Sequence, residues 1–205
     1  MMTPFTGLDA VAAPLPLAQC DTDQIVPARF LSRRRAEGYG HQLFHDLRFG
    51  AGEQVNDAFV LNQPVYREAE ILVADENFGC GSSRECAVWA LYDYGFRAVI
   101  APSFGDIFFN NSSKNGLLAI VLPAERVERL RTLCSERPGT RLSIDLATQR
   151  VTSGESPEDV DPFHIDPLKK RLLMAGMDEI SYTLTHRAEL DAFEKKYVSH
   201  YPWLG

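Results

Sequence analysis

The chain has no long apolar run. Nowhere in its 205 residues do 18 or more hydrophobic residues follow one another, so no membrane-spanning helix is expected. Positive charge is in short supply: 21 Lys and Arg stand against 28 Asp and Glu, a net charge of −7. Arg33-Arg34-Arg35 is the one basic cluster. A lone triplet reads as solvated surface, which makes nucleic acid and anionic membrane poor partners. The first basic residue is Arg29, and Asp9 interrupts the apolar stretch before it. A secretory signal is therefore not expected, and a cytoplasmic protein is. Cysteine is scarce too. Cys20, Cys80, Cys86 and Cys134 form no Cys-x-x-Cys pair and no zinc-type spacing with histidine, so free, reduced thiols are expected and no metal site. Cys80 and Cys86 flank a glycine-rich stretch, but two thiols fall short of the about four ligands of an iron–sulfur cluster.

What is present is concentrated at Glu76-Asn-Phe-Gly-Cys-Gly-Ser-Ser-Arg-Glu85. The apolar pattern Ala69–Val73 leads in as a strand, and Ala87–Tyr94 leads out as a helix closed by Gly95. A glycine-rich turn, two hydroxyls and an arginine thus lie where a strand hands over to a helix, a natural place for an anion. A purely structural reading also exists. Ser82-x-x-Glu85 fits a capping box, with Ser82 as N-cap. Capping leaves Arg84 unexplained, because a cation in a first helical turn opposes the dipole. An anionic ligand between the helix start and Arg84 would remove that conflict.

The composition, 45% hydrophobic and 24% charged, suits one large domain over residues 1–205. The first third is mixed, punctuated by Pro14, Pro16 and Pro27, with Asp21-Thr-Asp23 as a turn and Phe30–Phe49 as an irregular loop region. Beyond it the pattern is regular. Ile71–Val73 and Ala98–Ala101 read as buried strands around the helix, a right-handed βαβ unit. A short helix over Gly105–Asn111 that ends near Gly116, a strand at Leu117–Leu122 and a helix at Ala124–Glu136 follow. Leu142–Leu146 alternates as a half-exposed strand with a hairpin return at Gln149–Val151, and Gly154–Pro162 reads as a loop. Asp166-Pro167 opens a helix through Ala175, and a last helix covers about Arg187–Tyr197.

Five segments occur in order: Asp21-Thr-Asp-Gln-Ile-Val-Pro27, Leu43–Phe49, Glu76–Glu85, Ala101-Pro-Ser-Phe-Gly-Asp-Ile-Phe108 and Phe163-His-Ile-Asp-Pro-Leu168. Together they resemble the small subunits of 3-isopropylmalate dehydratase, which are similar to the swivelling domain of the aconitase superfamily. The resemblance runs from about residue 5 to about residue 195. It implies an α/β fold, a three-layer swivelling β/β/α domain with a mainly parallel core sheet. The helices at about 167–198 are expected to pack on that domain or on the partner. It also implies a separate large subunit carrying a [4Fe–4S] cluster, with no cofactor bound by this chain, and a small hydroxy-dicarboxylate substrate. The implied reaction interconverts 2-isopropylmalate and 3-isopropylmalate through 2-isopropylmaleate, in leucine biosynthesis.

The resemblance assigns roles by position. Ser82 matches the serine base that takes a carbon-bound proton. Arg84 matches the arginine that binds a substrate carboxylate, by a two-point contact that lysine cannot copy. Ser83 and Gly81 match supporting donors. Asp23 matches a loop aspartate near the active site and is expected, with Ser82, to be catalytic, an Asx-turn being the alternative. Phe30 and Leu31 stand where aconitases have a Trp-Leu pair and offer apolar contact to an alkyl group, while Arg33 or Arg34 faces either substrate or solvent. Cys86 replaces a histidine common in relatives. His41 and His45 read as surface or structural residues. Small subunits of homoaconitase-type or methylmalate-type hydro-lyases are the alternative within the superfamily. A phosphate-binding α/β module lacks a P-loop Lys-Ser/Thr, and a serine hydrolase lacks the Gly-x-Ser-x-Gly elbow.

Overall fold

The computed structural model describes residues 2–154, 156, 159–201 and 203. Strands β1 (Gly7–Pro14), β2 (Ile71–Val73), β3 (Ala98–Ala101), β4 (Leu118–Val121), β5 (Arg141–Asp145), β6 (Arg150–Thr152) and β7 (Val160–Pro162) form one sheet in the order β4-β3-β2-β1-β5-β6-β7. β1 to β4 run parallel, and β5, β6 and β7 extend the sheet antiparallel from the other side of β1. The fold is α/β, as the sequence leads one to expect.

Each strand's composition follows from its place. Every residue of β2 and β3 is buried, so both read as unbroken apolar runs, as strands covered on both faces do. β5 alternates, with Leu142 and Ile144 buried and Arg141, Ser143 and Asp145 exposed, as an antiparallel strand with one wet face does. Successive side chains divide between two cores. Leu72, Val99 and Ala101 face Tyr39, Phe44, Tyr66, Ala87 and Leu91. Ile71, Val73, Ala98 and Ile100 face Val127, Leu130 and Cys134, together with Leu142, Ile144 and Val151. The helix α3 (Glu85–Tyr94) supplies the first core and α5 (Ala124–Glu136) the second.

Three elements differ from the sequence reading. β1 was not expected as a strand, yet it is the pivot of the sheet. Its Ala10, Ala12 and Ala13 are weak strand formers, and only pairing of Ala12 with Ile71 on one side and Leu8 with Ile144 on the other makes it one. β7 lies inside the stretch read as a loop, of which residues 155, 157 and 158 fall outside the described residues. The helix α4 (Asp106–Lys114) stops near Gly116 as expected, whereas α7 (Glu179–Thr185) was not expected. α6 (Pro167–Ala175) is capped by Asp166 as expected and buries Leu172 and Leu173. It is followed by α7 (Glu179–Thr185) and α8 (Arg187–His200), which bury no residue. Among the described residues no helix is long and apolar enough to cross a membrane.

Parallel strands deliver their loops to one edge. The loops after β1, β2 and β3 lie side by side and are stitched together by backbone hydrogen bonds. Gly79 N–H donates to the Cys20 carbonyl at 2.8 Å, Thr22 N–H to the Cys80 carbonyl at 2.9 Å, and Gly105 N–H to the Phe78 carbonyl at 2.9 Å. The approach needs glycine at two points. Gly79 has φ of +72°, and a Cβ there would sit 2.4 Å from Cγ of Phe108; a Cβ on Gly105 would sit 2.5 Å from the Gly79 carbonyl oxygen. Left-handed backbone and overpacking together cost about 2–4 kcal/mol. Gly79→Ala is therefore expected to lower the melting temperature by about 5–10 °C, measured by thermal unfolding followed by circular dichroism. An unchanged melting temperature would mean that Phe108 does not pack over this turn.

Candidate active site

The site is built from the loop after β1 outward. A capping box opens α1 (Thr22–Ile25): the Asp21 carboxylate accepts from Gln24 N–H at 2.8 Å, and Asp21 N–H donates to the Gln24 side chain at 3.0 Å. This box fixes the first turn, so Thr22 points inward and Asp23 outward. Thr22 is buried, and its hydroxyl donates to the Ser82 carbonyl at 3.0 Å. The fold thus grips Ser82 by its backbone, while the side chains of Ser82 and Ser83 are exposed. Gly81, at φ of +90°, turns the chain beside Asp21.

The capping box read at Ser82-x-x-Glu85 does not form. α3 begins at Glu85, its N-cap is Arg84 in extended conformation, and no side chain caps it. The Thr22 bond and the Gly81 turn hold Ser82 in a bend and Arg84 is extended, so the helix starts too late for Ser82 to reach its amides. Glu85 faces away instead and accepts from Asn115 Nδ2 at 2.8 Å, while Asn115 Oδ1 accepts from the Trp89 indole N–H at 2.9 Å. The capping residues the sequence displays at this edge are Asp21 and Gln24. Thr22 is the contributor the sequence reading passed over, and that Asp-x-x-Gln pattern is the signal that would have located it.

Arg84 is mostly buried, and its Nη1 donates to Oδ1 of Asp23 in an ion pair. The guanidinium carries five N–H donors in a planar fork, so this contact leaves an edge for a second carboxylate. The cation at the helix start is offset by Asp23, half-exposed across from it. Asp23, Gly81, Ser82, Ser83 and Arg84 therefore come together on one open surface.

Phe30, Leu31, Arg33 and Arg34 do not join them through any hydrogen bond, ion pair or ring contact among the described residues. Phe30 packs on the His45 ring at 4.9 Å, with the Arg29 guanidinium 4.6 Å from its centroid. Arg33 folds back to donate to the Gly38 carbonyl at 3.0 Å, and Leu31 and Arg34 are exposed. The segment is held from below: the Tyr39 hydroxyl donates to the Arg33 carbonyl at 2.7 Å, and Asp93 accepts from Arg35 and from Tyr39 N–H. A cleft of about 440 Å³ opens here, lined by Arg33, Glu37, His41, Arg48, Asp93 and Tyr94, and by none of Ser82, Ser83 and Arg84.

The Cys20 and Cys134 thiols are pushed up to about 12 and about 11 by burial. Cys86 is buried in the first core, which also raises its thiol; it packs where relatives were expected to carry histidine. A cluster needs about four thiolates, and three of this chain's four cysteines are buried where the thiol is favoured. His41, His45 and Glu53 bring donor atoms within 4.8 Å of one another. Their contacts are already made: His45 meets Arg29, Asp46 and Glu53, and His41 stacks on Phe49 at 5.1 Å. Arg29 holds the Asp46 carboxyl down at about 2. This cluster braces α2 (His45–Arg48).

Known proteins resemble this arrangement over its whole length. The Aconitase C-terminal domain family matches residues 2–125. A protein of Roseobacter denitrificans named 3-isopropylmalate dehydratase small subunit is 48% identical, over 99% of this chain and 100% of its own. A protein of Granulibacter bethesdensis with the same name is 49% identical, over 98% of this chain and 96% of its own. A crystal structure of 3-isopropylmalate dehydratase from Methanocaldococcus jannaschii superposes with a TM-score of 0.64 at 26% identity, covering 92% of this chain and 99% of that one. The loops that meet at Ser82 and Arg84 lie within the matched domain, and the chain belongs to the 3-isopropylmalate dehydratase small-subunit family.

Proposed function

We propose that this chain supplies one half of the active site of a 3-isopropylmalate dehydratase and works only with a large subunit. The observation that carries the reading is the pairing of an exposed Ser82 with an Arg84 whose fork is held on one edge by Asp23. The substrate is a hydroxy-dicarboxylate, and the reaction removes water and adds it back with the hydroxyl on the neighbouring carbon. Balance is simple: a C–H proton and a hydroxide leave as water, the C–H pair becomes the double bond of 2-isopropylmaleate, and water returns in the other sense.

Arg84 binds one substrate carboxylate with its free edge, a charge-assisted and geometrically specific contact. Asp23 acts through Arg84, as a positioning residue that sets the plane of the fork. Ser82 takes the carbon-bound proton. A serine oxygen is a poor base, so its anionic form needs donors, a role we assign to the loop amides and Arg84. Ser83 and Gly81 N–H add donors on the same surface. Phe30 and Leu31 come to the alkyl group when the partner closes over the loop, with Arg33 and Arg34 beside them. An iron–sulfur cluster on the large subunit supplies Lewis-acid chemistry to the departing hydroxyl. The cytoplasm is the compartment that fits reduced thiols.

The direct test mixes this chain anaerobically with a cluster-loaded large subunit and follows the unsaturated intermediate by ultraviolet absorbance. Turnover of 3-isopropylmalate that needs both chains supports the reading; a stable complex with an intact cluster and no turnover moves the substrate to another hydroxy-diacid. Ser82→Ala is expected to lower kcat by roughly 10²–10⁴-fold, the range of a lost general base, with the dissociation constant for the large subunit unchanged. Arg84→Lys is expected to raise KM and lower kcat, for a loss in kcat/KM on the order of 100-fold. A change confined to thermal stability would speak against substrate contact. Asp23→Asn is expected to raise KM by about tenfold, or about 1.4 kcal/mol, while kcat falls less. A kcat collapse at unchanged KM would make Asp23 a direct participant instead.

A further inference from the structure

The cleft below the Phe30–Arg34 segment contains a cation and an amide that the chain itself leaves short of partners. Its volume of about 440 Å³ falls within the about 300–1,000 Å³ of small-molecule sites. Its wall is set by backbone. The turn Gly40–Gln42 lies so close to the end of α3 that a Cβ on Gly40 would sit 2.8 Å from the Asp93 carbonyl oxygen. Gln42 closes that turn, Arg48 ends α2, and both line the cleft.

The two carboxylates of the cleft already have cations. Asp93 accepts from Arg35 at 2.7 Å and from Tyr39 N–H at 2.8 Å, and Glu37 lies 3.7 Å from Arg33. Arg48 has no carboxylate partner among the described residues. Its Nε donates to Asn62 Oδ1 at 3.2 Å and its Nη1 to the Leu43 carbonyl at 3.3 Å, both neutral acceptors. Its guanidinium stands 4.9 Å from the centre of the Tyr94 ring. Nη2 makes no hydrogen bond among the described residues, so part of the planar fork is free. Burial pushes the Arg48 guanidinium down from its ordinary value, as it does for a charge that lacks a counter-ion.

The second observation is independent of charge. Gln42 is only 5% exposed, and its side chain makes no hydrogen bond among the described residues; its Oε1 is shut from solvent without a donor. A buried amide left unpaired is costly, and folded proteins rarely keep one. The last torsion of glutamine is soft, so the amide turns to offer either its carbonyl or its N–H groups. A hydroxyl, which both donates and accepts, satisfies it in either orientation. With one cation over, a single carboxylate balances the cleft. The remaining volume leaves room for an alkyl or aryl body beside Tyr94.

We propose that this cleft binds a small hydroxy-monocarboxylate, with the carboxylate on Arg48 and the hydroxyl on Gln42. None of Ser82, Ser83 and Arg84 lines it, so the inference stands apart from the reaction assigned above. The test titrates the full-length chain with mandelate, phenylacetate and mandelamide and follows backbone amide shifts by NMR. Mandelate is expected to bind with a dissociation constant on the order of millimolar. Phenylacetate, which lacks the hydroxyl, and mandelamide, which lacks the charge, should each bind at least about tenfold more weakly. Arg48→Gln should lose mandelate by a similar factor. Gln42→Leu, an apolar change at a buried position, should erase the preference for mandelate over phenylacetate, and it tests the site even where Arg48→Gln fails to fold. Ser82→Ala and Arg84→Lys should bind mandelate as the unaltered chain does. No mandelate binding, or binding that survives Arg48→Gln, would overturn the proposal. So would its loss in Arg84→Lys, which would put the ligand on the Ser82 surface. A chain that ignores mandelate while Arg48→Gln weakens association with the large subunit would assign the counter-ion to a partner carboxylate, and the small-ligand site would fall.

Discussion

The site depends on how the loop after β1 is registered against the loop after β2. Two backbone hydrogen bonds, Gly79 N–H to Cys20 and Thr22 N–H to Cys80, set that register, and the Thr22 hydroxyl extends it to the Ser82 carbonyl. Each is worth only about 0.5–1.5 kcal/mol net, but they act together on a turn that has little else to hold it. Gly79 is pressed against Phe108 and Gly105 against Gly79, so the turn has no slack. With its backbone fixed, Ser82 projects its side chain into solvent and Arg84 arrives opposite Asp23. The exposed side chains of Ser82 and Ser83 take no part in these hydrogen bonds among the described residues. That separation lets their chemistry be altered without unfolding the turn.

The parallel half of the sheet was legible because its strands are apolar on both faces. Ile71–Val73 and Ala98–Ala101 can be read in isolation, and so can α5 from Val127, Leu130 and its Pro123 start. β1 could not be read, because alanines at Ala10, Ala12 and Ala13 say little until β2 and β5 lie beside them. β7 was hidden by its short length in an acidic, proline-bearing stretch. At the site, the glycine-rich run marked the edge where the loops meet, and the resemblance suggested a role for each residue. The sequence misled at Ser82 and Glu85, where a capping pattern was overruled by the long-range Thr22 contact. The real capping box, at Asp21 and Gln24, was equally visible in residue spacing. Local spacing alone does not say which of two capping patterns a helix will use.

Half a site also explains the distribution of surface. Ser82, Ser83 and Asp23 are accessible, Leu31 and Arg34 stand out from a loop anchored by Tyr39 and Asp93, and α7 and α8 bury nothing of their own. A chain that completed its own site would exclude water from the reacting atoms. Here the exclusion is left to whatever closes over this edge. Phe30 and Ser82 share no hydrogen bond, ion pair or ring contact among the described residues, and on the proposed reading the large subunit brings both to one substrate.

The most direct measurement is the structure of the assembled enzyme, prepared anaerobically with 3-isopropylmalate bound. The account places a substrate carboxylate on the edge of Arg84 that Asp23 leaves free. It also places Ser82 Oγ within about 3–3.5 Å of the carbon that loses its proton, the separation of a reactive conformer. A substrate held entirely by the large subunit, with Arg84 still closed on Asp23 alone and Ser82 facing water, would contradict it.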